Sequence, residues 1–170
     1  ADSTLAEEVL KAAPDTDRVR ELCKRDGVPD DLRGKIWQIL LGVHNKRANL
    51  DVPPGGDGLT AEDLQTIKND VARTRQTVES FRSEQVQADL EHLLTVYCKR
   101  RSVKYTQGLN ELIAPFFLLG MDSGAIFNCF YGLMAKFLPN TLRGHDLKTL
   151  RRGLEMFGLL LQYHSPRLAH

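Results

Sequence analysis

Several side chains in this sequence could act on phosphate groups, although no nucleotide-binding loop accompanies them. A basic run, Lys99, Arg100, Arg101 and Lys104, could contact phosphates directly. The same run closes a helical pattern, where the negative end of the helix dipole favours cations. The chain has neither a GxxxxGK[ST] loop nor a GxGxxG turn, and its histidines lack metal-ligand spacing. We therefore interpret the basic run as structural and expect no metal and no cofactor of the protein's own.

Two other polar residues admit both an ordinary and a catalytic interpretation. Arg73 follows Asp70 by three residues, the spacing of a helix-surface ion pair worth about 0.2–0.5 kcal/mol. Gln107 follows Thr106 at the start of an apolar stretch, where it could simply cap or begin a helix. Residue type and spacing alone favour the ordinary interpretation for both.

Composition indicates a soluble protein without a strong preference for a charged partner. Of the 170 residues, 42% are hydrophobic and 26% charged, and the formal net charge is +1. Such a balance argues against a nucleic-acid partner. The three cysteines, Cys23, Cys98 and Cys129, lie in apolar helical patterns, which predicts buried free thiols and a cytoplasmic location. No apolar run approaches the roughly 20 residues needed to span a bilayer.

The hydrophobic pattern predicts an all-α fold. Apolar residues recur at helical spacing through the chain, for example at Val86, Leu90, Leu93 and Tyr97. Thr4 begins a capping-box pattern, and Thr60 and Asp63 offer another helix cap. From Gln107 the chain is so densely apolar that a central helix is expected, with a kink or a break at Pro115. We predict a flexible loop over residues 44–59, around the Pro-Pro-Gly-Gly sequence.

Four segments resemble the motifs of TBC domains, which are activators of Rab GTPases. GVPDDLRGKIWQILLG at 27–42 is similar to their opening motif, LRGxxWxxLLG. IKNDVART at 67–74 matches IxxDxxRT, and YTQG at 105–108 matches YxQG. SPRLA at 165–169 is similar to a later proline-containing segment. Each motif is weak alone, but their joint order on a helical background makes the resemblance strong over nearly the whole chain from Gly27.

The resemblance implies catalysis in trans. Arg73 corresponds to the arginine finger and Gln107 to the glutamine finger that TBC domains supply to a GTP-bound Rab. GTP and Mg²⁺ would then belong to the Rab, and membrane association would at most be peripheral, through that partner. The expected role is regulation of vesicle trafficking. The alternative is a catalytically inactive Rab-binding or scaffold module on the same fold.

The resemblance also implies supporting residues and two departures. We expect Asp70 to hold either the neighbouring backbone or Arg33, so that Arg73 projects outward, and Gly108 to allow close backbone approach. Leu109 replaces a common methionine, an exchange that conserves volume. Residues 1–170 would form one irregular multi-helix TBC domain lacking part of its C-terminal lobe. The expected site-supporting residues are Arg33, Trp37, Asp70, Thr74, Tyr105 and Gly108.

Overall fold

The computed structural model describes residues 4–54, 59–139 and 148–168, and all regular secondary structure in these ranges is helical. It confirms the all-α prediction, since these ranges contain no strand. Two short 3-10 helices, Glu79–Arg82 and Pro166–Leu168, accompany the α-helices. The described α-helices are α1 (Leu5–Val9), α2 (Thr16–Asp26), α3 (Asp30–Leu40), α4 (Ala61–Arg73), α5 (Glu84–Arg101), α6 (Leu109–Phe117), α7 (Ser123–Phe137) and α8 (Lys148–His164).

Local capping signals account for two helix starts. Thr4 and Thr60 each accept a hydrogen bond from the backbone N–H three residues later, at Glu7 and Asp63. The carboxylates of those two residues accept the backbone N–H of the cap in return. The predicted capping box at Thr4 and the predicted cap at Thr60 are therefore confirmed, and the cap at Thr60 is a capping box as well.

The chain divides into two compact units, one ending at Lys136 and the other starting at Phe137. In the first unit, α1, α2 and α3 pack their apolar faces together around Val19, Leu22 and Ile36. Trp37, on the edge of this cluster, meets Phe116 of α6 with its ring centroid 5.4 Å away in an edge-on arrangement. This aromatic contact joins α3 to α6.

Helix α5 contributes a row of deeply buried side chains to the first unit. Leu90, Leu93 and Leu94 have almost no exposed surface, and Tyr97 packs on Phe130 of α7 at 4.8 Å between ring centroids. Helix α5 packs against both α4 and α6. The predicted stripe along this helix is confirmed, and its basic end, Lys99 to Arg101, forms the last turn as expected.

Helix α6 is less central than the sequence predicted. It buries Ile113 and Phe116, but Leu112 is 37% exposed. The helix has only nine residues and ends at Phe117, two residues after Pro115. Pro115 lies inside the helix, and because it has no N–H to donate to the carbonyl of Glu111, it weakens the last turn.

Residues 44–54 lack regular structure, and backbone carbonyls of this segment accept hydrogen bonds from α5 and α7. His92 lies 2.9 Å from the carbonyl of Leu50, and Asn128 donates to that of Lys46 at 2.8 Å. Residues 55–58 of the predicted loop lie outside the described residues, and its flexibility stays a prediction.

The second unit contains α8 and the short 3-10 helix after it. Several apolar side chains of α8 are more than half exposed, among them Leu154, Phe157 and Leu159. The prediction of a single domain over 1–170 stays a prediction. Within the described residues, no helix is long and apolar enough to cross a bilayer.

Candidate functional site

The C-terminal turn of α4 places a buried carboxylate beside an exposed guanidinium. Ile67, Asp70 and Val71 all lie on the buried face of this helix, and Asp70 is only 1% exposed. Arg73, one turn later, keeps 65% of its side-chain surface in solvent. Its Nη2 donates to Oδ1 of Asp70. The ion pair expected from the spacing is therefore present, and it is anchored at a buried acid.

Tyr105 brings a distant segment to the same carboxylate. The chain leaves α5 through Ser102, which has a left-handed backbone, and Tyr105 then turns inward. Its hydroxyl donates to Oδ2 of Asp70 at 2.9 Å. Burial, and next the hydrogen bond to Asp70, raise the pKa of Tyr105 well above its usual range. The phenol consequently stays protonated and remains a donor to the carboxylate.

Asn110 completes this arrangement and was missed by the sequence prediction. Its Nδ2 donates to Oγ1 of Thr74 at 2.9 Å, and its Oδ1 accepts the backbone N–H of Gly108 at 3.2 Å. Thr74 in turn donates to the carbonyl of Asp70 at 2.7 Å. The signal available in the sequence was an amide on the same helix face as Leu109 and Ile113. We call Asp70, Thr74, Tyr105 and Asn110 the Asp70 network.

The Asp70 network ties together the two segments that carry Arg73 and Gln107. Gln107 is exposed and lies in the turn just before α6, two residues after Tyr105. Neither side chain is enclosed in the core. Arg73 itself donates to Asp70, and Gln107 lies two residues after Tyr105, which also donates to Asp70. Polar groups that are buried and mutually hydrogen-bonded form a rigid support. The segments that carry Arg73 and Gln107 are therefore held to the same buried group of side chains.

Two expectations about this turn need correction. The N-cap of α6 is Gly108, so Gln107 neither caps nor begins the helix. Gly108 has φ 102°, and a Cβ built on it would meet no atom within 4 Å. Glycine is therefore required here for its left-handed backbone, and the predicted close backbone approach is wrong.

Arg33 lies apart from the Asp70 network. Its Nη2 donates to the carbonyl of Val28 at 3.2 Å and also pairs with Asp30. These contacts tie the start of α3 to the turn before it. The suggestion that Asp70 holds Arg33 is therefore wrong, because Asp70 binds Arg73 and Tyr105. Trp37 contacts Phe116 of α6, and its expected supporting role stays a prediction.

Comparisons with known proteins agree on one family. The family model described as the Rab-GTPase-TBC domain matches residues 30–170. The "Putative mitotic check point protein BUB2" of Dictyostelium discoideum is 26% identical over 157 residues, which cover 91% of this chain and 42% of that protein. The human "TBC domain-containing protein kinase-like protein" is 28% identical over 152 residues, covering 86% of this chain and 16% of that protein.

A further relative is the "Cell division control protein 16" of Schizosaccharomyces pombe. It is 29% identical over 157 residues, which cover 89% of this chain and 52% of that protein. The chain thus spans about half or less of the length of these relatives. Because the family model matches residues 30–170, which are most of the chain, the chain belongs to the Rab-GTPase-TBC domain family.

Proposed function

We propose that this chain activates GTP hydrolysis by a Rab-family GTPase, with Arg73 and Gln107 entering the active site of the partner. The observation that carries the proposal is the buried Asp70 carboxylate, which binds Arg73 through one oxygen and Tyr105 through the other. One buried acid therefore links the bases of two exposed side chains that are 34 positions apart in the sequence.

Arg73 would stabilise the charge that develops on the transferring phosphoryl group. A guanidinium keeps its proton at any physiological pH and has five N–H donors in a planar arrangement. The contact from Nη2 to Asp70 engages only part of that set. An arginine inserted in this way is worth on the order of 10³–10⁵ in rate.

Gln107 would orient the attacking water. A carboxamide is neutral and can both accept and donate a hydrogen bond, which is what a positioned water requires. The turn before α6 is held on both sides, by Tyr105 on Asp70 and by the Gly108 N–H on Asn110. A rigid turn supports this role, because the orientation of a reacting water tolerates little error.

The partner would be a Rab in its GTP-bound form, which carries the nucleotide and the Mg²⁺ ion. This chain would then need no cofactor of its own. Its site of action would be the cytoplasm, with recruitment to endomembranes through the Rab, and its role would be in vesicle trafficking.

GTP hydrolysis by a panel of Rab proteins, with and without catalytic amounts of this chain, tests the proposal. We expect acceleration on at least one Rab, and a loss of about 10³-fold or more in Arg73→Ala. We expect Gln107→Ala also to abolish most of the acceleration. Arg20→Ala is the matched control, since Arg20 is a partly exposed arginine paired with Asp17 at the same three-residue spacing. Gln65→Ala, an exposed glutamine on α4, is the second control.

The outcomes separate catalysis from binding alone. Full acceleration by both Arg73→Ala and Gln107→Ala would contradict the assigned roles. Binding to a GTP-loaded Rab with no change in hydrolysis rate across the panel would instead favour the inactive binding module.

A further inference from the structure

Arg75 lies two residues after Arg73, in a backbone conformation that non-glycine residues rarely adopt. Its φ is 44°, in the left-handed region, and its carbonyl accepts the N–H of Val78 at 2.8 Å. The chain reverses here between the end of α4 and the 3-10 helix Glu79–Arg82. A strained residue persists only where its surroundings hold it, and such residues concentrate at functional sites.

The side chain of Arg75 meets the helix that follows Gln107. Its Nε lies 3.3 Å from Oε2 of Glu111, in the first turn of α6. That Nε is shielded from solvent, and it makes no well-angled hydrogen bond to any residue the structure describes. The contact is therefore an ion pair held by charge rather than by a directional bond. Glu111 is well placed for it, because the N-terminal turn of a helix favours a carboxylate.

This ion pair is a second link between the two segments, separate from the Asp70 network. The Asp70 network is buried, whereas the side chains of Arg75 and Glu111 are 37% and 50% exposed. Arg75 belongs to the segment just after Arg73, and Glu111 to the helix turn just after Gln107. The Asp70 network thus holds the two segments together in the interior, and the pair of Arg75 and Glu111 holds them together at the surface.

We propose that Arg75 and Glu111 are positioning residues, which hold the Arg73 segment against the first turn of α6 and so set the spacing between Arg73 and Gln107. This inference rests on the proposed function. Neither residue touches the reacting atoms in this scheme. Their effect is on turnover, because a misplacement of about 1 Å can cost up to 10²-fold in rate.

Exchange of the two charges tests the proposal. Arg75→Glu and Glu111→Arg are each expected to lower kcat of the stimulated GTP hydrolysis about tenfold, with KM for the Rab changed less than twofold. The double variant is expected to recover kcat to within about threefold of the original protein. If the single variants leave kcat unchanged, or if the double variant is no better than either, the proposal is overturned.

The pair Lys68 and Glu91 supplies the matched control. It joins α4 to α5 at 3.9 Å, and its side chains are 57% and 35% exposed. Exchanging these charges perturbs a similar half-exposed pair between two neighbouring helices, away from the turn before α6. We expect kcat to stay within twofold. An equal loss of kcat in this control would mean that any perturbed ion pair slows turnover, which would overturn a special role for Arg75.

Hydrogen–deuterium exchange tests the link without relying on activity. Arg75→Ala and Glu111→Ala are each expected to speed exchange at least severalfold in both segments, 74–78 and 106–112. A change confined to the segment that carries the substitution would overturn the link. If the original protein accelerates no Rab, the proposed function fails, while the exchange result still decides whether the two segments are held together.

Discussion

At the scale of single residues, the carboxylate of Asp70 is the group that holds the Asp70 network together. It is buried in the first unit, and its two oxygens accept from Arg73 and Tyr105. An unpaired buried carboxylate would be costly, so these contacts are a condition for placing a charge there at all. The ion pair that the three-residue spacing predicted therefore has two effects, because it pairs the buried charge of Asp70 and also fixes the position of the Arg73 guanidinium.

Removal of the Tyr105 hydroxyl should therefore destabilise the fold. Tyr105→Phe leaves one oxygen of the buried Asp70 carboxylate without its donor. Because hydrogen bonds to charged groups contribute about 1.5–3 kcal/mol, we expect the free energy of unfolding to fall by that amount. Urea unfolding measures it. Tyr163→Phe is the control, since Tyr163 is 82% exposed. Equal stability of Tyr105→Phe and the original protein would contradict a stabilising contact.

At the scale of secondary-structure elements, the site is built from the end of one helix and the start of another. Helix α4 ends at Arg73, and α6 begins one residue after Gly108. Both ends face the Asp70 network, because the Asn110 side chain of α6 reaches Thr74 at the end of α4. The end of α4 thus exposes the Arg73 side chain to solvent, while Ile67 and Asp70 in the preceding turns stay buried.

The turn before α6 should be sensitive to a single methyl group. Gly108→Ala places a Cβ on a residue with φ 102°, so the penalty comes from the backbone conformation and not from a clash. We expect a loss of about 1–2 kcal/mol in unfolding free energy. Gly153→Ala is the matched control, because Gly153 is exposed within α8 and has no atom within 4 Å of a built Cβ. Alanine there should stabilise its helix by about 0.5–1 kcal/mol.

The outcome that would contradict this interpretation is equally clear. If Gly108→Ala unfolds at the same urea concentration as the original protein, then the left-handed backbone is not required at this position. Circular dichroism measured over a range of urea concentrations gives the unfolding midpoint of each protein.

At the scale of the whole molecule, the buried thiols link stability to pH. Burial raises the pKa of Cys98 and of Cys129 to about 12, from an ordinary 9.0. Above pH 9 the unfolded chain loses thiol protons that the folded chain keeps. The unfolded state is therefore favoured as pH rises from 9 towards 12, and the folded protein loses stability across that window.

We expect each of these two thiols to lower the unfolding free energy by about 1.4 kcal/mol per pH unit above pH 9. Urea midpoints at pH 8, 9 and 10 measure the slope. Cys98→Ala should flatten it, whereas Cys23→Ala should flatten it less, because Cys23 is only partly buried. A midpoint that does not change between pH 8 and pH 10 would contradict the prediction.

Helical spacing, capping boxes and short motifs determined much of this protein from its sequence. The stripe along α5, the capping boxes at Thr4 and Thr60, and the pairing of Asp70 with Arg73 all arise within a few residues, where local geometry is set by the chain itself. The order of the motifs indicated the family, which the comparison over residues 30–170 shows.

Only the tertiary structure decided what lies around Asp70. Tyr105 is 35 positions from Asp70, and Asn110 is 36 from Thr74, so no periodicity could place them together. The same holds for Arg75 and Glu111, which are 36 positions apart. These contacts depend on how α4, α5 and α6 pack, because side chains far apart in sequence meet only when buried surfaces bring their helices together.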